Sequence, residues 1–444
     1  MKMSICLNLV LIFAYYFYTG QVCFMTGFLL QYLSGYLLFY LIFRPKNSLT
    51  WNVYNFFFFF YGLLVLVSHI ELIKDPLENY YVHNDASDAF YPAIIDYVLP
   101  NKWSEIPNAT ILSPFFVNYP LPAFLFGVIS KTGAFLGIEN LRLFLRLHSV
   151  VIGALTMSVM ADLLLRYRLK GKKVVRYLIP FGLCSYLYIT SGVFTRDVHA
   201  CLAYSLATYI CLRPSLKHRL FYFFVVFLFS LGVRPANGLL MLIFPFSYYF
   251  EALKQRYGMI GILTMTIVII ASFVVMSSTV SDVTEALDHY EDLTNENTGG
   301  LFMKFYSLPF PINTIIIVVY MLLLPLPIDG YLIGDHETIM NLPFVLSPYL
   351  MTLVICVSIY VLIKTRVNVL LKYTILASIL AFAVTVYGSP DLRRAFAAIP
   401  GLYMCYCLTE ENCPKRVKMI IKRVGWTTVF VITIGLTLYV RARG

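Results

Sequence analysis

Apolar runs of membrane-spanning length alternate along this chain with short basic turns and two long acidic stretches. A helix that crosses a bilayer needs about 20 predominantly apolar residues. Candidate spans cover roughly residues 4–20, 22–43, 52–70, 120–138, 145–165, 176–193, 198–212, 220–233, 236–252, 258–277, 312–327, 344–363, 373–388, 395–408 and 425–440. Several are short and are expected to merge or turn back. The pattern predicts an all-α, polytopic integral membrane protein with about 11–14 transmembrane helices. It forms a single transmembrane domain over 1–444, and its external loops carry short interfacial helices. Residues 1–20 are apolar with Lys2 in front, which resembles a signal peptide, but no small-x-small cleavage site follows. They read as an uncleaved span.

The charges orient the spans. Basic turns stand at Arg44/Lys46, at Arg166–Arg176, at Arg213–Arg219, at Lys364–Lys372 and at Lys415–Arg423. Clusters of Lys and Arg in short loops mark the cytoplasmic side. The 71–118 loop and the Ser278–Pro311 stretch are acidic and fall on the other side. Residues 309–343 break the alternation, so the external 278–343 region is expected to include a re-entrant or interfacial segment. Non-helical backbone at membrane depth is tolerated only against protein or a wet cavity.

Composition sharpens this reading. The chain is 59% hydrophobic and 13% charged, with a mean hydropathy of +0.76. The net charge of +11 does not mark a nucleic-acid binder, because the cations sit in membrane-flanking turns. The cysteines lie almost all in apolar runs, and Cys405 and Cys407 lack zinc partners at useful spacing, so neither a disulfide framework nor a zinc motif is expected.

The candidate chemistry collects on the outer side. Residues 80–97 hold Asp85, Asp88 and Asp96 among Tyr80, Tyr81, Phe90, Tyr91 and Tyr97. Pro92 suits the first turn of a short helix lying along the membrane surface, and the aromatics suit the headgroup layer. Further clusters are Thr195-Arg196-Asp197-Val198-His199, Asp391-Leu392-Arg393-Arg394 and Arg234-Pro235-Ala236-Asn237. An arginine at a membrane segment is costly, about 2.5–3.5 kcal/mol at mid-span, and is usually there to pair. Each could simply bridge a nearby aspartate. Asp162 and Arg166 read as such a structural pair. Several basic sites beside a carboxylate loop suit an anionic, lipid-linked substrate, because the guanidinium fork binds phosphate oxygens. Asp85 and Asp88 are therefore the catalytic candidates, and Arg196, Asp197, Arg234, Arg393, Arg394 and His83 the substrate-binding ones. No residue is assigned as a metal ligand. A divalent metal held by His83, His199 and His336 stays open, although their spacing matches no motif. The Asn108-Ala109-Thr110 sequon matters only in a host that glycosylates.

The order of features resembles the GT-C superfamily of polytopic glycosyltransferases. The resemblance is carried by Asn84-Asp85-Ala86-Ser87-Asp88-Ala89-Phe90 in the first external loop and by Tyr119-Pro-Leu-Pro122. It is carried also by Arg142-Leu-Phe-Leu-Arg146-Leu-His-Ser149-Val-Val-Ile-Gly153, by Thr195-Arg196-Asp197, and by Arg393/Arg394 ahead of Pro400. The chain is also similar to bacterial O-antigen and capsule repeat-unit polymerases in length and in richness of Phe and Tyr. The resemblance implies transfer from a polyprenyl-phosphate- or polyprenyl-pyrophosphate-linked sugar during cell-surface polysaccharide assembly. It implies a multi-pass protein of the bacterial inner membrane with its site on the periplasmic face. A lipid-linked sugar or oligosaccharide and membrane lipid would be its partners, without nucleic acid. Envelope-assembly proteins would be further partners.

Two other classes compete. A flippase or other secondary transporter would show repeated halves and mid-span charges, whereas here the ionisable residues gather at one face. A scaffold in an envelope assembly also needs charged loops.

Overall fold

A computed structural model describes residues 2–45, 47–74, 91–116, 119–214, 216–278, 342–364, 368–388 and 396–412, with a few isolated residues at 312–316, 394 and 415–427. No strand occurs among them. Three helices open the chain: α1 (Lys2–Thr19), α2 (Val22–Phe43) and α3 (Ser48–Lys74). After a π-helical turn (Ile94–Val98) come α4 (Ile106–Thr110), α5 (Pro120–Phe135), α6 (Leu141–Arg166), α7 (Gly171–Cys184) and α8 (Tyr186–Gly192). Then follow α9 (Asp197–Leu212), α10 (Arg219–Val233), α11 (Pro235–Leu240) and α12 (Ile243–Ser278). The last are α13 (Leu342–Lys364), α14 (Val369–Gly388) and α15 (Ile399–Asn412).

Helix α6 is the mast of the bundle. Its 26 residues give a length of about 39 Å at 1.5 Å per residue, more than the roughly 30 Å hydrocarbon layer. The Asn140 side chain caps it by accepting from the Leu143 amide at 3.2 Å, and the chain leaves through left-handed Arg168 at φ 60. Almost every residue from Leu143 to Leu164 is buried, against α2, α3, α8 and α9. Small residues make this close packing possible, as lipid-embedded helices require. Gly153 is the tightest point: a Cβ there would collide with the Ser191 side chain of α8.

The basic turns gather at one end of the bundle. Asp162 accepts from Arg166 Nε at 2.6 Å and from the Tyr209 hydroxyl at 2.5 Å. The pairing expected from the sequence is present, and Tyr209 completes it. Arg219 donates to the carbonyls of Ile210, Cys211 and Arg213 at 2.6–2.9 Å, which satisfies the C-terminus of α9. Lys173 and Tyr177 both reach Glu411.

Four helices among the described residues are long and apolar enough to cross a membrane: Val22–Leu41, Ser48–Ile70, Leu141–Arg166 and Leu346–Ile363. Four shorter apolar helices, Ile5–Thr19, Asp197–Leu212, Arg219–Val233 and Val369–Thr385, stand with them. The described residues are all-helical, with four helices long and apolar enough to cross a membrane. Among the described residues three expected spans differ in form, 236–252 being divided by a turn at Met241–Leu242. Residues 176–193 do not form one helix: the chain breaks at extended Ser185 between α7 and α8, and the Ser185 hydroxyl accepts from the Leu187 amide to restart the helix. Residues 120–138 shorten to the 16-residue α5, about 24 Å long. Its contacts stay at the end remote from the basic turns: Leu121 against Gly232, Phe126 against Phe194 and His148, and Gly133 against Leu141 and Phe144. Helix α5 therefore leans across that far end instead of running the depth of the bundle. The division expected between 236–252 and 258–277 is met by a break at Gly258 (φ 57, ψ −142) within α12.

A second, smaller core holds the segment 91–116 against α5. Ile94, Val98, Ile106 and Phe116 are buried there with Ala123, Phe126 and Leu145. Gly127 lets Val98, Ile106 and Thr110 approach its backbone, and Lys131 donates to the Leu99 carbonyl at 2.7 Å. Each large apolar side chain buried in such a layer contributes about 1.5–3 kcal/mol. The helix expected to start at Pro92 is present: residues 91–98 are helical. The sequon at Asn108 lies within α4, where the Thr110 hydroxyl donates to the Ile106 carbonyl at 2.6 Å.

Candidate functional site

The far end of α6 gathers polar groups that its apolar surroundings do not call for. Asn140 Nδ2 lies 3.0 Å from His69 Nε2 near the end of α3. Arg142 and Arg146 stand one helical turn apart and so share a face. Arg146 is fully buried, and its charge is felt at both Tyr15 and His69. His69 also lies within electrostatic reach of Arg142. Gln31 donates to the Phe144 carbonyl at 2.9 Å, tying α2 to the same turn. Arg142 lies over the Tyr91 ring, 5.6 Å from its centroid. Burial raises the Tyr91 pKa, with Arg142 pulling against it, so the phenol stays neutral beside the guanidinium.

Residues 75–90 lie outside the described set, and with them His83, Asp85 and Asp88. The residues flanking that stretch are described. His69 meets Asn140, and Tyr91 meets Arg142. His69 near the end of α3 and Tyr91 thus both lie at the start of α6.

A second group lies next to the first. Arg196 is the N-cap of α9 and sits over the Tyr119 ring at 5.0 Å. Burial raises the Tyr119 pKa, and Arg196 opposes it. Three residues on, His199 Nε2 faces His148 Nε2 at 3.1 Å. Phe126 packs on both imidazoles and on Phe194, which in turn meets Tyr91. Arg142, Tyr91, Phe194, Phe126, the two histidines and Arg196 therefore form one connected patch.

The candidates fare differently. Arg196 belongs to this patch. Asp197 stands in the first turn of α9, where a negative charge is favoured by the helix dipole. Arg234 caps α11 and acts electrostatically on Tyr204, deeper along α9. Arg394 is half-buried ahead of α15. Arg393 and Asp391 lie outside the described residues, as does His336. Asp96 is exposed on the π-helical turn. The Arg142/Arg146 pair, His69, Asn140 and His148 were not assigned roles from the sequence. The signal was there: two arginines at i, i+4 opening an otherwise apolar helix are costly unless they serve a polar site.

Among the described residues no group of three His, Cys, Asp or Glu side chains could hold a metal. The described cysteines are free. The arrangement offers guanidiniums on two helices, imidazoles and neutral phenols, a set suited to binding an anion beside an apolar chain. No family model matches this chain, and no curated protein and no solved structure matches it.

Proposed function

We propose that this protein is a membrane glycosyltransferase that takes sugars from a polyprenyl-phosphate or polyprenyl-pyrophosphate donor in the assembly of a cell-surface polysaccharide. One observation carries the reading. His69, ahead of the stretch holding Asp85 and Asp88, and Tyr91, just after it, both lie at the start of α6, where Arg142 stands with Arg146 one turn further on. A carboxylate and a group of arginines, Arg146 buried and Arg142 and Arg196 half-buried, are the two parts that such a transfer uses.

In this mechanism Asp85 or Asp88 takes the proton of the acceptor hydroxyl as general base. The hydroxyl oxygen attacks the anomeric carbon, and the bond from that carbon to the phosphate oxygen breaks. The leaving phosphate gains negative charge. Arg142, Arg146 and Arg196 stabilise it, as preorganised positive groups do where charge develops. His83, Arg234, Arg393 and Arg394 are further contacts for the donor headgroup. The active face lies on the side opposite the basic turns, as in a bacterial inner membrane with a periplasmic site. Repeat-unit polymerisation is one form of this chemistry.

The test is the surface glycan of a host lacking the protein, complemented with wild type, Asp85→Ala, Asp88→Ala, the double variant and Arg142→Ala. Loss of the polysaccharide ladder with a single unit still attached identifies a polymerase, and a shortened unit identifies a single-sugar transferase. Normal glycans in the aspartate double variant, with the protein present in the membrane, overturn the catalytic role of this loop. Unprocessed lipid-linked sugar retained on the inner face would instead favour a flippase.

A further inference from the structure

The segment 91–116 carries a groove of about 650 Å³, lined chiefly by Tyr97, Asn101, Glu105, Asn108, Ser113 and Phe115. Its volume lies within the range of about 300–1,000 Å³ typical of small-molecule sites. The groove plays no part in the arginine patch, and its lining has a different chemistry. We propose that it binds an uncharged stretch of glycan, the acceptor chain of the transfer proposed above.

The lining selects the ligand class. Tyr97 and Phe115 are 62% and 54% exposed, and their rings pair at 5.6 Å. They are not core residues left over: Val98 and Phe116, their neighbours in sequence, are fully buried and anchor the segment. Flat exposed rings suit the C–H faces of sugar rings. Asn101 donates one amide hydrogen to the Tyr97 carbonyl at 2.6 Å, which fixes its side-chain oxygen as an acceptor and leaves a second N–H to donate. Glu105 Oε2 accepts from the Lys102 amide at 2.9 Å, which orients the carboxylate and leaves Oε1 for a second donor. Asn108 is exposed and supplies both donor and acceptor. Hydroxyl groups, which donate and accept, match this set. No lysine or arginine is among the described residues lining the groove, so it does not suit a phosphate. Its many oxygen and amide groups do not suit a lipid tail.

Tyr97 lies six residues after Tyr91, about 9 Å along the axis at 1.5 Å per residue. Six residues also turn a helix through about 600°, so the ring under Arg142 and the ring in the groove are on different faces of the segment. A glycan held in the groove reaches the patch only by passing round the segment 91–116. The identity of the glycan as acceptor rests on the proposed function; binding in the groove does not.

The test uses the full chain in lipid nanodiscs, presented to an array of neutral oligosaccharides. Binding above empty nanodiscs is expected, and it should fall at least tenfold in Tyr97→Ala/Phe115→Ala. Both side chains are exposed, so the fold should tolerate the change; a matching melting temperature checks this. No binding to any arrayed glycan, or binding that the double variant leaves intact, overturns the proposal. Brominated lipid gives a second arm, in a chain whose remaining tryptophan is Trp103 (Trp51→Phe/Trp426→Phe). Trp103 is 50% exposed beside the groove. Strong quenching by bromines deep in the acyl chains would bury this face in hydrocarbon and also overturn the proposal. Asp85→Ala/Asp88→Ala should keep array binding while losing transfer. If transfer persists in that variant but array binding needs Tyr97, the catalytic reading falls and the groove stands. The reverse pattern removes the groove alone.

Discussion

His148 on α6 and His199 on α9 face each other with their Nε2 atoms 3.1 Å apart. At that separation one nitrogen donates and the other accepts, so a single proton lies between two helices. His199 is fully buried. His199→Leu strands the other imidazole and should cost about 1–3 kcal/mol. Replacing both by Leu should cost less than the two single changes summed, because no buried polar group is then left unmatched. Thermal melts of the two single variants and the double variant check this. Additive losses would mean that the pair is not coupled. If the double variant folds but forms no product, the pair also serves the chemistry.

Tyr91 reports on Arg142. Burial holds its phenol pKa above the ordinary value of about 10, and Arg142 pulls it down. The neutral phenol's contribution to stability is therefore present below about pH 10 and is lost as pH rises through the raised value. Arg142→Gln removes the lowering influence, so the titration should move further up. A 3-fluorotyrosine placed at position 91 and followed by fluorine NMR reads the midpoint directly. A midpoint that stays or falls on Arg142→Gln contradicts the stacking of Arg142 on Tyr91.

Much of the fold was legible because apolar run length and cation placement act locally. The runs at 22–43, 52–70 and 344–363 became helices with nearly those bounds, and the Asp162–Arg166 pair could be read from its i, i+4 spacing. Helix α5 could not. Its composition matches a span, and only the contacts of Leu121, Phe126 and Gly133 reveal that it leans across the far end. The break at Ser185 was hidden for a related reason, since apolar residues continue on both sides of it. At the site, Arg196 was legible from its place at a span edge. His148 was not, because its partner His199 is 51 residues away and only the packing of α6 on α9 joins them.

Asp162 should matter for stability and not for chemistry. It accepts from Arg166 and Tyr209 at the basic end, remote from the arginine patch. Asp162→Ala leaves a cation and a buried hydroxyl without their acceptor. The expected cost is about 3 kcal/mol, the low end of the range for broken buried pairs, because Arg166 keeps some contact with solvent. Tyr209→Phe should cost about 1 kcal/mol. Product formed per folded molecule should be unchanged in both. A loss of turnover in protein that melts normally would show that this end also acts on substrate.

Gly153 links packing to the site. Helix α6 carries Arg142 and Arg146, while α8 leads through Phe194 and Thr195 into Arg196, so the register of α6 on α8 sets the arginines relative to one another. That register depends on the contact of Gly153 with Ser191, whose hydroxyl donates to the Leu187 carbonyl at 2.6 Å. A methyl group at Gly153 would meet the Ser191 side chain, with Tyr61 behind it at 3.1 Å. Gly153→Ala should destabilise by about 1–3 kcal/mol through overpacking. It should also lower product formation by more than the folded fraction explains, since a shift of about 1 Å in a reacting geometry can cost as much as 100-fold. Ser191→Gly in the same chain removes the obstructing atoms and should restore both properties in large part. Ser191→Ala should restore less, because its Cβ still stands 2.7 Å from the new methyl group. If Gly153→Ala melts and turns over like wild type, α6 and α8 are not locked in this register, and the arginines must be positioned by other contacts.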